Sequence, residues 1–161
     1  MVRWILRVVG TIVGLALAAF AALVVTLRTK WDPGLRVVRQ MQRRSRAGEL
    51  ARSGRPGDAH VVVHHTGRRS GRSYATPIGV ERTPAGLLVT LPYGPGTDWA
   101  RNVLAAGGAV LTIDGESLEV TSPRVIGLDE AAPLLSAREL RVARFFGATD
   151  FLLLRPADSP L

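Results

Sequence analysis

Residues 66–72 read Thr-Gly-Arg-Arg-Ser-Gly-Arg. Gly67 and Gly71 let the backbone turn sharply and present its amides, while Arg68, Arg69, Arg72 and the Ser70 hydroxyl surround them. Guanidinium groups bond phosphates and carboxylates through two parallel donors, so this stretch has the donors an anionic ligand requires. A solvated basic hairpin has the same composition, and the stretch alone does not separate the two readings. A second stretch, residues 93–102, reads Tyr-Gly-Pro-Gly-Thr-Asp-Trp-Ala-Arg-Asn, a loop of Gly and Pro entering a short helix. The start of that helix offers unpaired amides and a positive dipole end. Trp99 and Asn102 are three residues apart and share a helix face.

The common catalytic sets are absent from the sequence: no Walker loop, no GxGxxG and no GxSxG elbow. Its only histidines are His60, His64 and His65, and the adjacent pair points to opposite faces of a strand. With no cysteine anywhere in the chain, no metal site is predicted, and neither a disulfide framework nor thiolate chemistry is available. His64 and His65 read as one exposed and one core-facing side chain. No general base declares itself, so no catalytic residue is assigned and a cofactor would have to carry any reaction.

The elements that must position these stretches are mostly short strands. Apolar or β-branched runs fall at residues 60–65, 74–81, 87–91, 110–113, 117–125 and 151–155, with a tight Asp114-Gly115 turn between the fourth and fifth. Helices are predicted over 99–106, closed by Gly107-Gly108, and over 129–146, with a break near Ser136. The pattern predicts a mostly β, α+β domain: a small antiparallel barrel with short helices.

Ahead of it lies residues 8–27, twenty residues without a charge. As a helix rising about 1.5 Å per residue it spans roughly 30 Å, the thickness of a hydrocarbon core. A cleaved signal peptide, with Ala19-Phe20-Ala21 as the cleavage site, is the alternative; the apolar run continuing through Leu27 favours an anchor. Arg3 and Arg7 precede the run, whereas Arg28, Lys30, Arg36, Arg39, Arg43, Arg44 and Arg46 follow it, which places the following domain on the cytoplasmic side of the cell membrane. Residues 1–72 hold 14 basic and 3 acidic side chains, and residues 73–161 hold 7 and 10. Residues 35–52 read as a basic helix contacting anionic lipid head groups. Nucleic-acid binding is the weaker reading of that run, since it carries no aromatic side chain for base stacking. The domain plan is therefore an anchor over 1–30, a basic juxtamembrane helix and linker over 31–58, and a barrel over 59–161.

Taken together, HTGRRSGRSYATPIGV and YGPGTDWARNVLAAGG resemble the deazaflavin-dependent nitroreductase family, whose pattern runs T-x-GR-[KR]-[ST]-G, then TP, then a glycine-rich loop with W-x-x-N. The run ATDFLLLRP at 148–156 is similar to that family's last strand. The resemblance implies a split β-barrel and an oxidoreductase that moves a hydride from reduced coenzyme F420 to a quinone, nitro compound or activated alkene. It implies that Arg68, Arg69 and Ser70 hold the cofactor's phosphate and polyglutamate tail, with Arg72 standing in for an arginine that many members carry where Tyr74 stands. Thr76 and Pro77 would border the deazaflavin ring, Tyr93, Gly94, Trp99 and Asn102 would line the same cleft, and Phe145 and Phe146 would face the substrate. Some relatives bind fatty acids or other apolar ligands, so a membrane-anchored barrel holding lipid or flavin mononucleotide (FMN) without F420 chemistry is the alternative function.

Overall fold

The computed structural model describes residues 1–30, 33–35, 53–58 and 60–157, with single positions 37, 40 and 50 between them. The chain opens with helix α1, Val2–Thr29, which ends where Lys30 turns left-handed at φ 52°. Within Trp4–Thr29 an 18-residue stretch has a mean hydropathy of 2.6 and no buried residue, so the helix is long and apolar enough to cross a membrane. The basic helix predicted over 35–52 lies almost wholly outside the described residues.

Seven strands follow: β1 His60–Thr66, β2 Ser73–Gly79, β3 Glu81–Thr83, β4 Gly86–Thr90, β5 Gly108–Ile113, β6 Glu116–Gly127 and β7 Asp150–Pro156. Helix α2, Asp98–Ala106, lies between β4 and β5; α3, Leu128–Ala131, a 3-10 turn, Ala132–Leu134, and α4, Ala137–Phe146, lie between β6 and β7. All pairings are antiparallel, in the order β2-β1-β5-β6-β7-β4-β3. The two edge strands of that order, β2 and β3, are joined through the single residue Val80. A flat seven-stranded sheet would hold its edges about 29 Å apart at about 4.8 Å per strand, so this sheet must curl until its edges meet. Because β2 and β3 do not pair with each other, the result is a split barrel. The run at 74–81, read as one strand, is thus two strands on opposite edges, and Val80 packs on the barrel core where it crosses.

Two apolar layers follow from strand alternation. Val61, Val63, Leu87, Val89, Leu111, Leu152 and Leu154 fill the barrel interior with Val103 of α2. Leu88, Phe151 and Leu153 point the other way and pack against Ala131 and Ala143 of the helical segment. Strands β4 and β7 are therefore buried on both faces, which is why GLLVT and DFLLLRP are nearly continuous apolar runs. β6 serves both halves of the sheet by bending at a register shift between Thr121 and Arg124, where Ser122 adopts φ 52°. The Asp114-Gly115 turn forms as expected, with φ 53° and 85° suiting a two-residue hairpin of type I′.

The segment 53–58, expected as a linker, is fastened to the barrel. Gly54 N donates to His60 O at 2.7 Å, Gly115 N donates to Gly54 O at 2.6 Å, and Gly57 N donates to Asp114 Oδ1 at 3.2 Å. Gly54 and Gly57 are thus tied by hydrogen bonds to β1 and to the β5–β6 turn.

The break expected near Ser136 is the start of α4. Ser136 Oγ accepts from Glu139 N at 3.2 Å, and Glu139 Oε2 accepts from Ser136 N at 2.9 Å, a closed capping box. The Glu139 carboxylate also takes a hydrogen bond from the Glu81 carboxyl; that bond first, then burial, raises the Glu81 pKa, and the same bond lowers that of Glu139. The contribution of Glu81 is therefore full below its unfolded pKa of about 4.3 and lost as pH rises through its raised folded value. That of Glu139 is present above the unfolded pKa and lost as pH falls. Glu81→Gln keeps a donor at every pH, so its melting temperature should exceed that of the wild type near pH 7 and match it near pH 4. A thermal melt series over that range checks this; equal differences at both ends would show that the pair does not titrate.

Candidate functional site

The β1–β2 turn is built by its glycines. Gly67 N donates to Arg72 O and Gly71 N donates to Gly67 O, each at 2.8 Å, and Gly71 has φ 65°. A Cβ at Gly67 would run into Ser70 Oγ and the Tyr74 ring, so a larger residue there would displace both side chains. The register pairs His65 with Tyr74 and Val63 with Thr76, which puts His65, Tyr74 and Thr76 on one face. The rings of His65 and Tyr74 stack at 5.7 Å and 20°, and Tyr74 Oη and Ser70 Oγ are 3.2 Å apart.

Helix α2 faces this turn and locks onto it through Asn102, which is buried. Asn102 Oδ1 accepts from Arg68 N at 3.1 Å and from Arg68 Nη1 at 2.9 Å, while Nδ2 lies 3.1 Å from His65 Nδ1. Arginine donates only, so this end of the amide must be the carbonyl and the other must donate. His65 Nδ1 is then the acceptor, its proton sits on Nε2, and Nε2 donates to Thr76 Oγ1 at 3.1 Å. One asparagine thereby assigns the histidine tautomer and ties β1, β2 and α2 together. Arg68 Nη1 also pairs with Asp98 Oδ1 at 3.4 Å.

Around this network lies a cleft of about 1300 Å3, large for a small-molecule site. Nine of the predicted residues line it: Arg68, Arg69, Ser70, Tyr74, Thr76, Pro77, Tyr93, Trp99 and Asn102. Their roles in the architecture differ. The Arg68 guanidinium is engaged by Asp98 and Asn102, whereas among the described residues Arg69 is exposed and makes no hydrogen bond or ion pair. Arg72 and Gly94 shape the loops without lining the cleft: Arg72 O accepts from Gly67, and Gly94, at φ 73°, donates to Leu91 O at 2.9 Å. Phe145 and Phe146 are not brought to the cleft. They sit at the end of α4, outside the sheet, with Phe20 of α1 at 6.4 Å from each. The helical layer packs on the face of β7 opposite the barrel interior.

Sequence reading missed three participants. The pair His64 and His65 reads as one exposed and one core-facing side chain without saying which, and alternation with Val61 and Val63 makes His65 the inner one. Asp98 is four residues before Asn102 and so on the same helix face. Thr97, at the N-cap of α2, buries its hydroxyl without a hydrogen bond among the described residues; a buried hydroxyl in that condition is costly and nothing in the local sequence foretells it. The site as a whole is a polar floor of His65, Thr76 and Asn102, aromatic walls of Tyr74 and Trp99, and a basic rim at Arg69. It can seat a planar, anionic molecule.

No protein-family model matches the sequence, and no curated protein does. Several solved structures are similar to the chain at low identity. A protein of unknown function from Agrobacterium tumefaciens is 22% identical, with 68% of this chain and 53% of that one covered and a TM-score of 0.47; this chain spans about half of its length. An F420 reductase is 12% identical, with 68% and 94% covered and a TM-score of 0.45. A heme storage protein from Vibrio cholerae is 9% identical, with 64% and 84% covered and a TM-score of 0.47.

Proposed function

We propose that this chain is a membrane-anchored oxidoreductase that holds reduced F420 in the β2–α2 cleft and passes its hydride to a quinone, nitro compound or activated alkene. One observation carries the reading: a single cleft gathers the Arg69 guanidinium and the Thr97 hydroxyl, both without a partner among the described residues, and two aromatic walls. These suit a molecule with a planar ring at one end and phosphate and carboxylates at the other. When bound, F420 supplies the hydride, and the protein contributes binding, orientation and exclusion of water.

On this reading Arg69 and Ser70 hold the anionic tail, and Tyr74, Pro77 and Trp99 flank the ring. Thr97 donates to a polar group of the ligand. Arg68 and Asn102 act indirectly, by holding the turn and His65 in place. α1 crosses the membrane once, with the barrel on the cytoplasmic side and the basic segment after α1 against anionic head groups; no nucleic acid is involved. Lys30 Nζ, just past α1, donates to Pro92 O at 3.2 Å, and Pro92 lines the cleft. The cleft therefore opens beside the exit from α1, where a lipid-soluble acceptor would arrive.

The test is a fluorescence titration of the full chain in detergent with F420, with FMN and with a fatty acid, followed by the rate at which reduced F420 is oxidised when a quinone is added. Saturable F420 binding with quinone-dependent oxidation supports the proposal. Saturable FMN or fatty-acid binding without an F420 response would instead establish the alternative, a split-barrel carrier of lipid or flavin.

A further inference from the structure

Helix α4 carries a face that neither apolar layer uses. Arg138 and Val142, and Arg141 and Phe145, are each four residues apart and so neighbours on one helix stripe, and all four are exposed. Val142 and Phe145 each keep 49% of their surface open, while Ala143 on the other side of the helix is buried against the sheet. The stripe is graded, cationic at the start of α4 and apolar at its end.

The apolar end meets α1. Phe20 stacks on Phe145 at 6.4 Å and meets Phe146 edge-on, and Arg28 Nη1 donates to Phe145 O at 3.3 Å. At Gly147, which ends α4 with φ 67°, a Cβ would lie 3.0 Å from Arg28 Cα. The barrel thus touches α1 along the side of its last turns, not only through the chain that connects them.

Resting on the spanning role proposed for α1, this contact sets the depth of α4. Trp4–Thr29 has 26 residues, about 39 Å of helix against the roughly 30 Å of a hydrocarbon core. With Trp4 at the far boundary, the near boundary falls close to Val24 and Phe20 lies about 6 Å inside it. With Thr29 at the near boundary, Phe20 lies about 13 Å inside. Either limit leaves Phe20 among acyl chains, and a ring stacked on it sits at the boundary or below.

We propose that the last turns of α4 form a second membrane contact, a wedge in which Val142 and Phe145 enter the acyl layer beside α1. Arg141 and Arg138, one and two turns back from Phe145, reach the anionic head groups of the same leaflet, with Arg28 and Arg144 at the same boundary. An amphipathic helix with basic and large apolar side chains on one face binds an interface in this way. The occupant of the exposed stripe is the bilayer, because the stripe is continuous with the exposed apolar surface of α1. The barrel is then held at two points and cannot swing freely, and its cleft keeps a set orientation to the lipid.

The chain has no cysteine, so single cysteines can report depth without other changes. Spin labels at Phe20→Cys, Val142→Cys, Phe145→Cys and Ser117→Cys would be read in the full chain, reconstituted in vesicles of phosphatidylcholine and phosphatidylglycerol. Ser117 is exposed near the β5–β6 turn, at the end of β6 remote from α3 and α4. Collisions with a water-soluble nickel chelate should be about tenfold rarer at 145 than at 117, and oxygen collisions more frequent, as expected for an interfacial helix face. Position 142 should behave in the same sense, which guards against a label at 145 disturbing the Phe20 stack. Labels at 142 and 145 as open to nickel as 117, with 20 protected, would overturn the wedge and leave the span intact. Nickel access at 20 as well would overturn both.

Discussion

Asn102→Ala should lower the melting temperature by roughly 10 °C, the largest stability effect expected from a single polar side chain in this domain. The substitution removes the acceptor for Arg68 N and Nη1 and the donor to His65 Nδ1. Leaving a buried polar group without its partner costs about 1–3 kcal/mol, against about 1 kcal/mol for an ordinary hydrogen bond. A loss of about 2–3 kcal/mol corresponds to that temperature shift for a domain near 100 residues. Asn102→Asp distinguishes the roles, because a carboxylate still accepts from Arg68 but cannot donate to His65. It should recover part of the stability at neutral pH. A melting temperature for Asn102→Ala within about 2 °C of the wild type would show that the network is not what joins α2 to the sheet.

Arg69→Ala should do the reverse, leaving stability unchanged and weakening F420 binding about tenfold to a hundredfold. The side chain is exposed and makes no hydrogen bond or ion pair among the described residues, so folding loses little with it. A hydrogen bond to a charged group contributes about 1.5–3 kcal/mol, which gives that range of dissociation constants at about 1.4 kcal/mol per factor of ten. The loss should shrink as salt is raised, since part of the attraction is screened. Arg68→Ala is the contrasting variant: it breaks contacts to Asp98 and Asn102, so its melting temperature should fall along with any affinity. Unchanged affinity in Arg69→Ala, with the protein folded, would remove the basic turn from the site.

The sequence determined by itself what local chemistry determines. Twenty uncharged residues make a long apolar helix whatever follows them, Asp114-Gly115 makes a tight hairpin because both positions accept positive φ, and Ser136 with Glu139 starts a helix because each caps the other. Residues 66–72 and 93–102 could be marked as candidate loops because glycine, arginine and a helix start together supply the donors an anionic ligand requires. The alternation of His65 with Val61 and Val63 likewise put one histidine inside.

Only the tertiary structure decided which of those side chains are at liberty. Arg68 and Arg69 are neighbours with the same chemistry, yet α2 brings Asp98 and Asn102 to one and, among the described residues, no partner to the other, a difference that no local pattern encodes. The division of residues 74–81 between two sheet edges depends on where β4 lies, and so does the closure of the barrel. Phe145 and Phe146, marked as substrate-facing, lie against Phe20 instead. Their contact spans more than a hundred residues of chain, and it exists because a curled sheet has two faces and α4 packs on the outer one.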